Sequence, residues 1–526
     1  LLRSIGVENY RTFPQPSSFD LAPITIMLGA NSSGKSSITR LLPLFAQSMS
    51  LRSAAPILWV SDNLDYGSFY DNVHNHDTSG SISFSFEGMF SQISRRGRRT
   101  FLNASTSSAI KDYVHFKYSI SVSGDSEKTD INCIEIKIHN IAIKLPVSGG
   151  SIIDKVFFDG VEFSGILKDR NIFYQDGLFP NLFYVKQDQG NLSVVGNDTF
   201  LMDAAKILRK YAHQNTSIEK IKNLLTGLQV RPIGEMMALI TSRSFDIPSL
   251  QKNLGVISVL DRSKIWSLCF LAALPILMED IKEAISSDIV SGGYLGPIRA
   301  RASRYYRRQE LAVEQIDPSG ENLAMYLNSL HQYERDEINR DLEEFFGHKI
   351  KVHPGEGHIS LRISASGEDH EDNLADVGFG FSQLIPVVAQ IHATARSLNR
   401  FSGRVASTLR ADSPLIAVEQ PELHLHPAYQ SKLGAYFVHA ATRTRHGVPP
   451  FRFLIETHSE PLVNEVAAMV ARGAIPASDV RLYLFERPTG RSGTTVVQAD
   501  ILPNGTIPNW PFGFFTSGKI RPSAKL

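Results

Sequence analysis

Gly29, Ala30, Asn31, Ser32, Ser33, Gly34, Lys35 and Ser36 run in the order G-x-x-x-x-G-K-S, with Ser37 next, and no other stretch limits the fold as strongly. A loop of this kind works between a buried strand that ends at its first glycine and a helix that starts near its lysine. The flanks agree: residues 23–28 form an apolar run of strand length, and residues 38–47 can continue as a helix. The glycines let successive backbone N–H groups face the β- and γ-phosphates of a nucleotide, and the helix N-terminus adds its own field. Lys35 then supplies a point charge near the γ-phosphate, and the Ser36 hydroxyl is placed for a magnesium ion. Gly29, Asn31, Ser32, Ser33, Gly34, Lys35, Ser36 and Ser37 are therefore the candidate nucleotide-binding residues.

A chain of 526 residues holds about two to four domains, and none of them needs a disulfide or a structural metal to form a core. Cys133 and Cys269 are the only cysteines, which fits a reducing compartment and excludes a cysteine-based zinc cluster. The formal charge is +1, so any face for nucleic acid must be a local one. Residues 1–10 alternate like a first strand, with no signal-peptide core. The apolar stretch 266–278 ends at Glu279 and Asp280 and is too short to span a bilayer. The sequence thus reads as a cytoplasmic protein with no membrane partner.

Patterning divides the rest. Residues 81–195 alternate with period two, as in Ile82, Phe84 and Phe86 or Ile134, Ile136 and Ile138, which predicts half-buried antiparallel strands joined by hairpins. Helical periodicity takes over at 200–290, with a helical hairpin over 201–213 and 218–228 and one or two helices over 260–285. A helix over 321–346 and a strand over 358–363 follow. From 374 onward, helices at 383–397, 428–442 and 462–472 alternate with strands at 415–418, 451–455 and 480–485. That alternation predicts an α/β sheet whose missing first half is residues 1–50. The expected divisions are 1–80, a β-rich lobe over 81–199, a helical insertion over 200–345, the second half of the head over 346–475, and C-terminal strands with an aromatic tail over 476–526.

Two arginine-rich stretches have open readings. Arg95, Arg96, Arg98 and Arg99 suit either a solvated hairpin tip or a phosphate-backbone contact. Arg299, Arg301, Arg304, Arg307 and Arg308, interleaved with Tyr305 and Tyr306, suit either phosphates and stacked bases or pairing with acidic residues of a neighbouring domain or subunit.

An apolar strand that ends in a carboxylate can hold magnesium opposite Ser36, and residues 415–419 end in Glu419, followed by Gln420, Pro421 and Glu422. Gly378, Phe379, Gly380, Phe381, Ser382 and Gln383 precede it, with a helix expected from about Gln383. His458 follows the next apolar strand. A phosphate loop near one end of the chain and an acidic strand end near the other resemble the ABC-type ATPase heads of the SMC, RecF and OLD group, closely over 1–50 and 370–475.

The resemblance implies an α/β, ABC/SMC-like P-loop ATPase head, split by a β-rich and helical insertion, that binds ATP and Mg2+. It also implies a head-to-tail dimer, or a multiple of dimers, in which Gly380, Ser382 and Gln383 reach the partner's nucleotide. Asn31 is a further γ-phosphate or dimer-face contact. On the same basis Glu419 joins Ser36 on the metal side, and Gln420 falls where a catalytic glutamate usually sits. Glutamine is no general base, which leaves slow natural turnover, a base relocated to Glu422 or Glu460, or an engineered exchange. His458 matches the family's switch histidine, so Lys35, Gln420, Glu422 and His458 make up the expected catalytic set. His424 and His426 resemble a loop that contacts the opposite protomer, with a metal as the weaker reading. The turn-rich tail over 505–515 caps the head or docks a partner.

The function implied is an ATP-binding and hydrolysing dimerisation switch. Among relatives of this kind are anti-phage defence ATPases of the Septu and retron-associated type, which work with a separate effector nuclease. DNA-repair or chromosome-maintenance ATPases, ATP-dependent scaffolds and transporter ATPases are the alternatives. No acidic nuclease cluster follows residue 475, so any cutting of nucleic acid falls to a partner.

Overall fold

The structure, a computed structural model, describes residues 1–51, 55–61, 64–91, 113–149, 151–167, 169–175, 177–188, 191–228, 230–309, 313–404, 413–443, 450–487 and 493–508. Arg95, Arg96, Arg98 and Arg99, and the tail beyond 508, lie outside the described residues.

The chain forms two compact units, one from 1–50, 59–67 and 286–526, the other from 51–58 and 68–285. The first is built on a six-stranded sheet. Its strands run in the order Gly293–Leu295, Leu415–Glu419, Arg452–Glu456, Ile24–Gly29, Val480–Glu486 and Thr495–Ala499, and all are parallel except the last. Three central strands, reading ITIMLG, LIAVE and RFLIE, are buried along their whole length, as parallel strands covered on both faces must be. Leu384, Ile385 and Val388 of the helix Phe379–Arg404, Leu433 and Phe437 of Pro427–Thr442, and Val463 and Val466 of Glu460–Ala471 share one core with Ile26, Val418 and Ile455. The register pairs Glu419 with Glu456 and Glu456 with Met27. The strand that enters the phosphate loop and the two acid-ended strands therefore stop at one edge of the sheet, where ligands of open α/β sheets bind.

Three boundaries differ from expectation. The helical insertion, expected to reach 345, gives way at 286 to residues that belong to the sheet unit. Gly292 explains part of this, because a Cβ there would lie 1.8 Å from the Leu415 carbonyl oxygen, so glycine lets Gly293–Leu295 approach Leu415–Glu419 as an edge strand. The single helix expected over 321–346 is two, Leu323–Ser329 and Gln332–Asp341, followed by a π-helical turn Leu342–Phe346. Leu330 is extended, and Glu334 accepts from the His331 N–H at 2.7 Å, which starts the second helix afresh. Finally, the helix expected from about Gln383 begins at Phe379. Phe381 packs its ring against His348, 4.4 Å between centroids, and Tyr429, 5.6 Å, which draws this segment into helical register. Gly380, Ser382 and Gln383 thus sit inside the first turns of a helix rather than in a nest ahead of it.

The same unit carries an antiparallel sheet of Tyr306–Arg307, His358–Ala365, His348–Pro354 and Asp372–Asn373. The second unit has the antiparallel strands the alternation predicts, with Ile82–Ser91, Tyr113–Gly124, Thr129–Ile138 and Ile141–Pro146 paired in sequence order. Arg170–Gln175, Asn181–Asp188 and Asn191–Val195 form another meander. The helices Asp198–Arg209 and Ile218–Leu225 follow. No helix among the described residues is long and apolar enough to cross a membrane.

Candidate functional site

The phosphate loop is shaped by its glycines. Gly34 has φ +98°, and a Cβ there would lie 2.5 Å from Thr12 Oγ1; one on Gly29 would lie 2.5 Å from the Phe485 carbonyl oxygen. Any larger residue must displace its neighbours at both places. Lys35 opens the helix Lys35–Thr39 and turns its ammonium back onto the loop, donating to the carbonyls of Gly29 at 2.9 Å and Ala30 at 2.8 Å. Burial lowers its pKa, opposed by the charges of Glu456 and Glu422. Ser33 is buried, and its Oγ has no hydrogen-bond partner among the described residues.

Beside the loop lies a cavity of about 520 Å3. Asn31, Ser32, Ser33, Gly34, Lys35, Ser36 and Ser37 line one side, while Glu419, Gln420, Glu456 and His458 come to it from the far end of the chain. Arg11, Thr12, Arg40, Pro297 and Arg487 complete the wall; sequence reasoning gave none of these a role, because no local motif marks them.

The acids are arranged differently from the expected pairing of Ser36 with Glu419. Ser36 Oγ donates to Glu456 Oε1 at 2.8 Å. Glu419 instead takes both prongs of Arg40, Nε to Oε1 at 2.8 Å and Nη2 to Oε2 at 3.0 Å, and accepts from Tyr294 OH at 2.9 Å. The reason is helical spacing: Arg40 lies one turn beyond Ser36, and its planar fork matches a carboxylate. Glu456 keeps Oε2 without a partner among the described residues. Burial, reinforced by the nearby Glu419 charge, pushes its pKa up to about 7. The sequence marks Glu456 only as the last residue of an apolar strand, the same signal that singles out Glu419.

Gln420 is held in a left-handed turn, φ +42°, with its N–H on the Glu456 carbonyl at 2.7 Å. His458 lines the cavity with Nε2 free of partners among the described residues. Burial and then the Lys35 charge lower its pKa, which favours a neutral imidazole. Glu422 and Glu460 do not line the cavity. Glu422 lies behind it, buried, its Oε1 accepting the His458 N–H at 2.6 Å, and burial pushes its pKa up. Glu460 is exposed in the first turn of Glu460–Ala471.

Of the expected partner-facing residues, Ser382 and Gln383 are buried and Gly380 is half-buried, while Gly378 and Phe379 are exposed. His426 caps the helix Pro427–Thr442, Nδ1 accepting from the Ala428 N–H at 3.2 Å, and His424 stands 5.5 Å from the Phe379 ring. Among the described residues no cluster of three or more His, Cys, Asp or Glu is arranged to hold a metal ion. In the second arginine stretch, Arg299 is buried, Arg301 lies over the Phe379 ring at 5.2 Å, and Arg304 pairs with Asp376 at 2.5 Å. Those contacts are intramolecular; Arg307 and Arg308 stay exposed.

Residues 204–463 match the family model of an AAA ATPase domain. No curated protein matches the sequence. Among solved structures the chain is similar to the Smc head domain derived from Pyrococcus furiosus, with an extended coiled coil and bound to the C-terminal domain of ScpA, at 10% identity and a TM-score of 0.32 over 95% of this chain and 96% of that one. It is also similar to the SMC head domain from Thermotoga maritima, at 11% identity and a TM-score of 0.32 over 94% and 98%. Likenesses of that size leave the chemistry to be argued from the site's own residues. The fold around the phosphate loop is an α/β one with a mostly parallel six-stranded sheet, and the ATPase domain makes the chain an ATP-hydrolysing enzyme.

Proposed function

We propose that this chain is an ATP-driven switch in which the cavity at the sheet edge binds the triphosphate and a second copy closes over it. The carrying observation is that residues from both ends of the chain, Lys35 and Ser36 on one side and Glu456 and His458 on the other, line one cavity.

The donor set fits a triphosphate with a hard cation. Backbone N–H groups of the loop and the Lys35 ammonium suit phosphate oxygens. Ser33 Oγ, His458 Nε2 and Glu456 Oε2 are all without partners among the described residues, and a hydroxyl beside a carboxylate suits magnesium. Ser36 and Glu456 would hold the ion, with Glu419 kept by Arg40. Bound there, magnesium would neutralise charge on the β- and γ-phosphate oxygens. Lys35 shares that task, His458 holds a γ-phosphate oxygen or the attacking water, and Gln420 orients the water. Since an amide takes no proton, turnover is slow, and the bound state lasts long enough to act as a signal.

The exposed Gly378 and Phe379 at the start of a long helix offer the surface for the second copy. Defence with a separate nuclease and a RecF/SMC-type role in DNA repair or chromosome maintenance both run on this chemistry; they differ in what the closed pair acts on. Purification of the Glu456→Gln variant with and without ATP, recording mass in solution and any bound protein or nucleic acid, tests the switch. Doubling of mass on adding ATP supports it, and an unchanged monomer that still binds ATP contradicts it.

A further inference from the structure

Arg299 is 3% exposed, and its guanidinium is only partly satisfied. Nη2 donates to the Glu419 carbonyl oxygen at 3.0 Å, while Nε and Nη1 have no hydrogen-bond partner among the described residues. Desolvation brings its pKa down to about 10, with Glu422 the foremost of the charges opposing the shift. A buried cation with unused donors is costly, and a methionine would fill the space without that cost. Its backbone is tied as well: Gln383 Nε2 donates to the Arg299 carbonyl at 3.2 Å. Gln383 is 2% exposed, and its Oε1 has no partner among the described residues.

These contacts form one buried line. It starts in the first turns of the helix Phe379–Arg404, passes through Gln383 to the backbone of Arg299, and goes from the guanidinium to the last residue of Leu415–Glu419, where Gln420 begins. Arg299 is itself outside the cavity. The line thus joins the exposed start of a helix to the residue that precedes Gln420, which lines the cavity.

We propose that Arg299 is a positioning residue that couples the start of the helix Phe379–Arg404 to the turn at Gln420, so that whatever seats on that helix end sets the geometry of Gln420 in the same chain. This rests on the reading of the cavity as the ATP site. Arginine suits the task because a planar fork fixes a carbonyl in direction as well as distance, which a lysine ammonium does not.

The test compares Arg299→Lys, Gln383→Met and the double variant for kcat, KM, nucleotide affinity and melting temperature. Arg299→Lys is expected to lower kcat by about 10-fold with nucleotide affinity within about 2-fold, since only the hydrolytic geometry is lost. Gln383→Met is expected to lower kcat by about 3-fold, and the double variant to match Arg299→Lys alone, because both break one line. Multiplying effects, or a fall in melting temperature with kcat unchanged, overturn the proposal. Should Arg299→Lys fail to fold, Gln383→Met decides alone: an unchanged kcat overturns the coupling, and a lowered kcat at unchanged affinity supports it. A wild-type chain that does not hydrolyse ATP would instead sink the reading of the cavity; an active wild type with an equally active Arg299→Lys would sink only the coupling.

Discussion

Glu419 and Glu456 stand opposite each other in register at the ends of neighbouring parallel strands, and their side chains meet different partners. Arg40 claims Glu419, and Ser36 claims Glu456. With its pKa raised from an ordinary 4.5 to about 7, folded Glu456 binds a proton that the unfolded chain has already lost. Its contribution to stability is therefore full below about pH 4.5 and declines as pH rises to about 7, a drop of about 3 kcal/mol. Urea unfolding in chelator between pH 5 and 8 should show that decline in the wild type and a flatter profile in Glu456→Gln. The Arg40–Glu419 pair is probed by removing one partner. Arg40→Ala leaves a carboxylate that is 1% exposed with one fewer partner. Discounted for the 37% exposure of Arg40, the loss is about 1–2 kcal/mol, measurable as a lower urea midpoint at unchanged slope.

At the scale of elements, what was legible followed from signals that tertiary structure does not override. Apolar character marks the strands expected at 415–418 and 451–455, and alternation marks 114–122 and 134–138 within the longer Tyr113–Gly124 and Thr129–Ile138, the second of which loses its period at Cys133. The phosphate loop was readable because its glycines are backbone requirements. Boundaries that depend on one long-range contact were not readable. The start at Phe379 follows from packing on His348 and Tyr429, and the break at Leu330 from a histidine acting as a cap. The choice of Glu456 over Glu419 as the partner of Ser36 depends on where Arg40 reaches, which no local pattern encodes. Caps that follow ordinary rules carry testable weight: Ser459 accepts from the Leu462 N–H at 3.1 Å at the start of Glu460–Ala471. Ser459→Ala should cost about 1 kcal/mol, read from thermal or urea unfolding; no loss would show that the cap is idle.

At the scale of the whole molecule, the strand Ile24–Gly29 lies between Arg452–Glu456 and Val480–Glu486, so the sheet closes only when the two ends of the chain meet. Such non-local pairing carries a large loop-closure cost before contacts reward it. It also means that the phosphate loop and the acids that face it cannot form separately, and the site's chemistry depends on that closure. Magnesium-dependent phosphate release from ATP by the wild-type chain, set beside Lys35→Ala at equal folded concentration, tests this most directly. Slow release by the wild type is expected, and none above background from Lys35→Ala, which should also no longer bind ATP. Equal release from both proteins would contradict it.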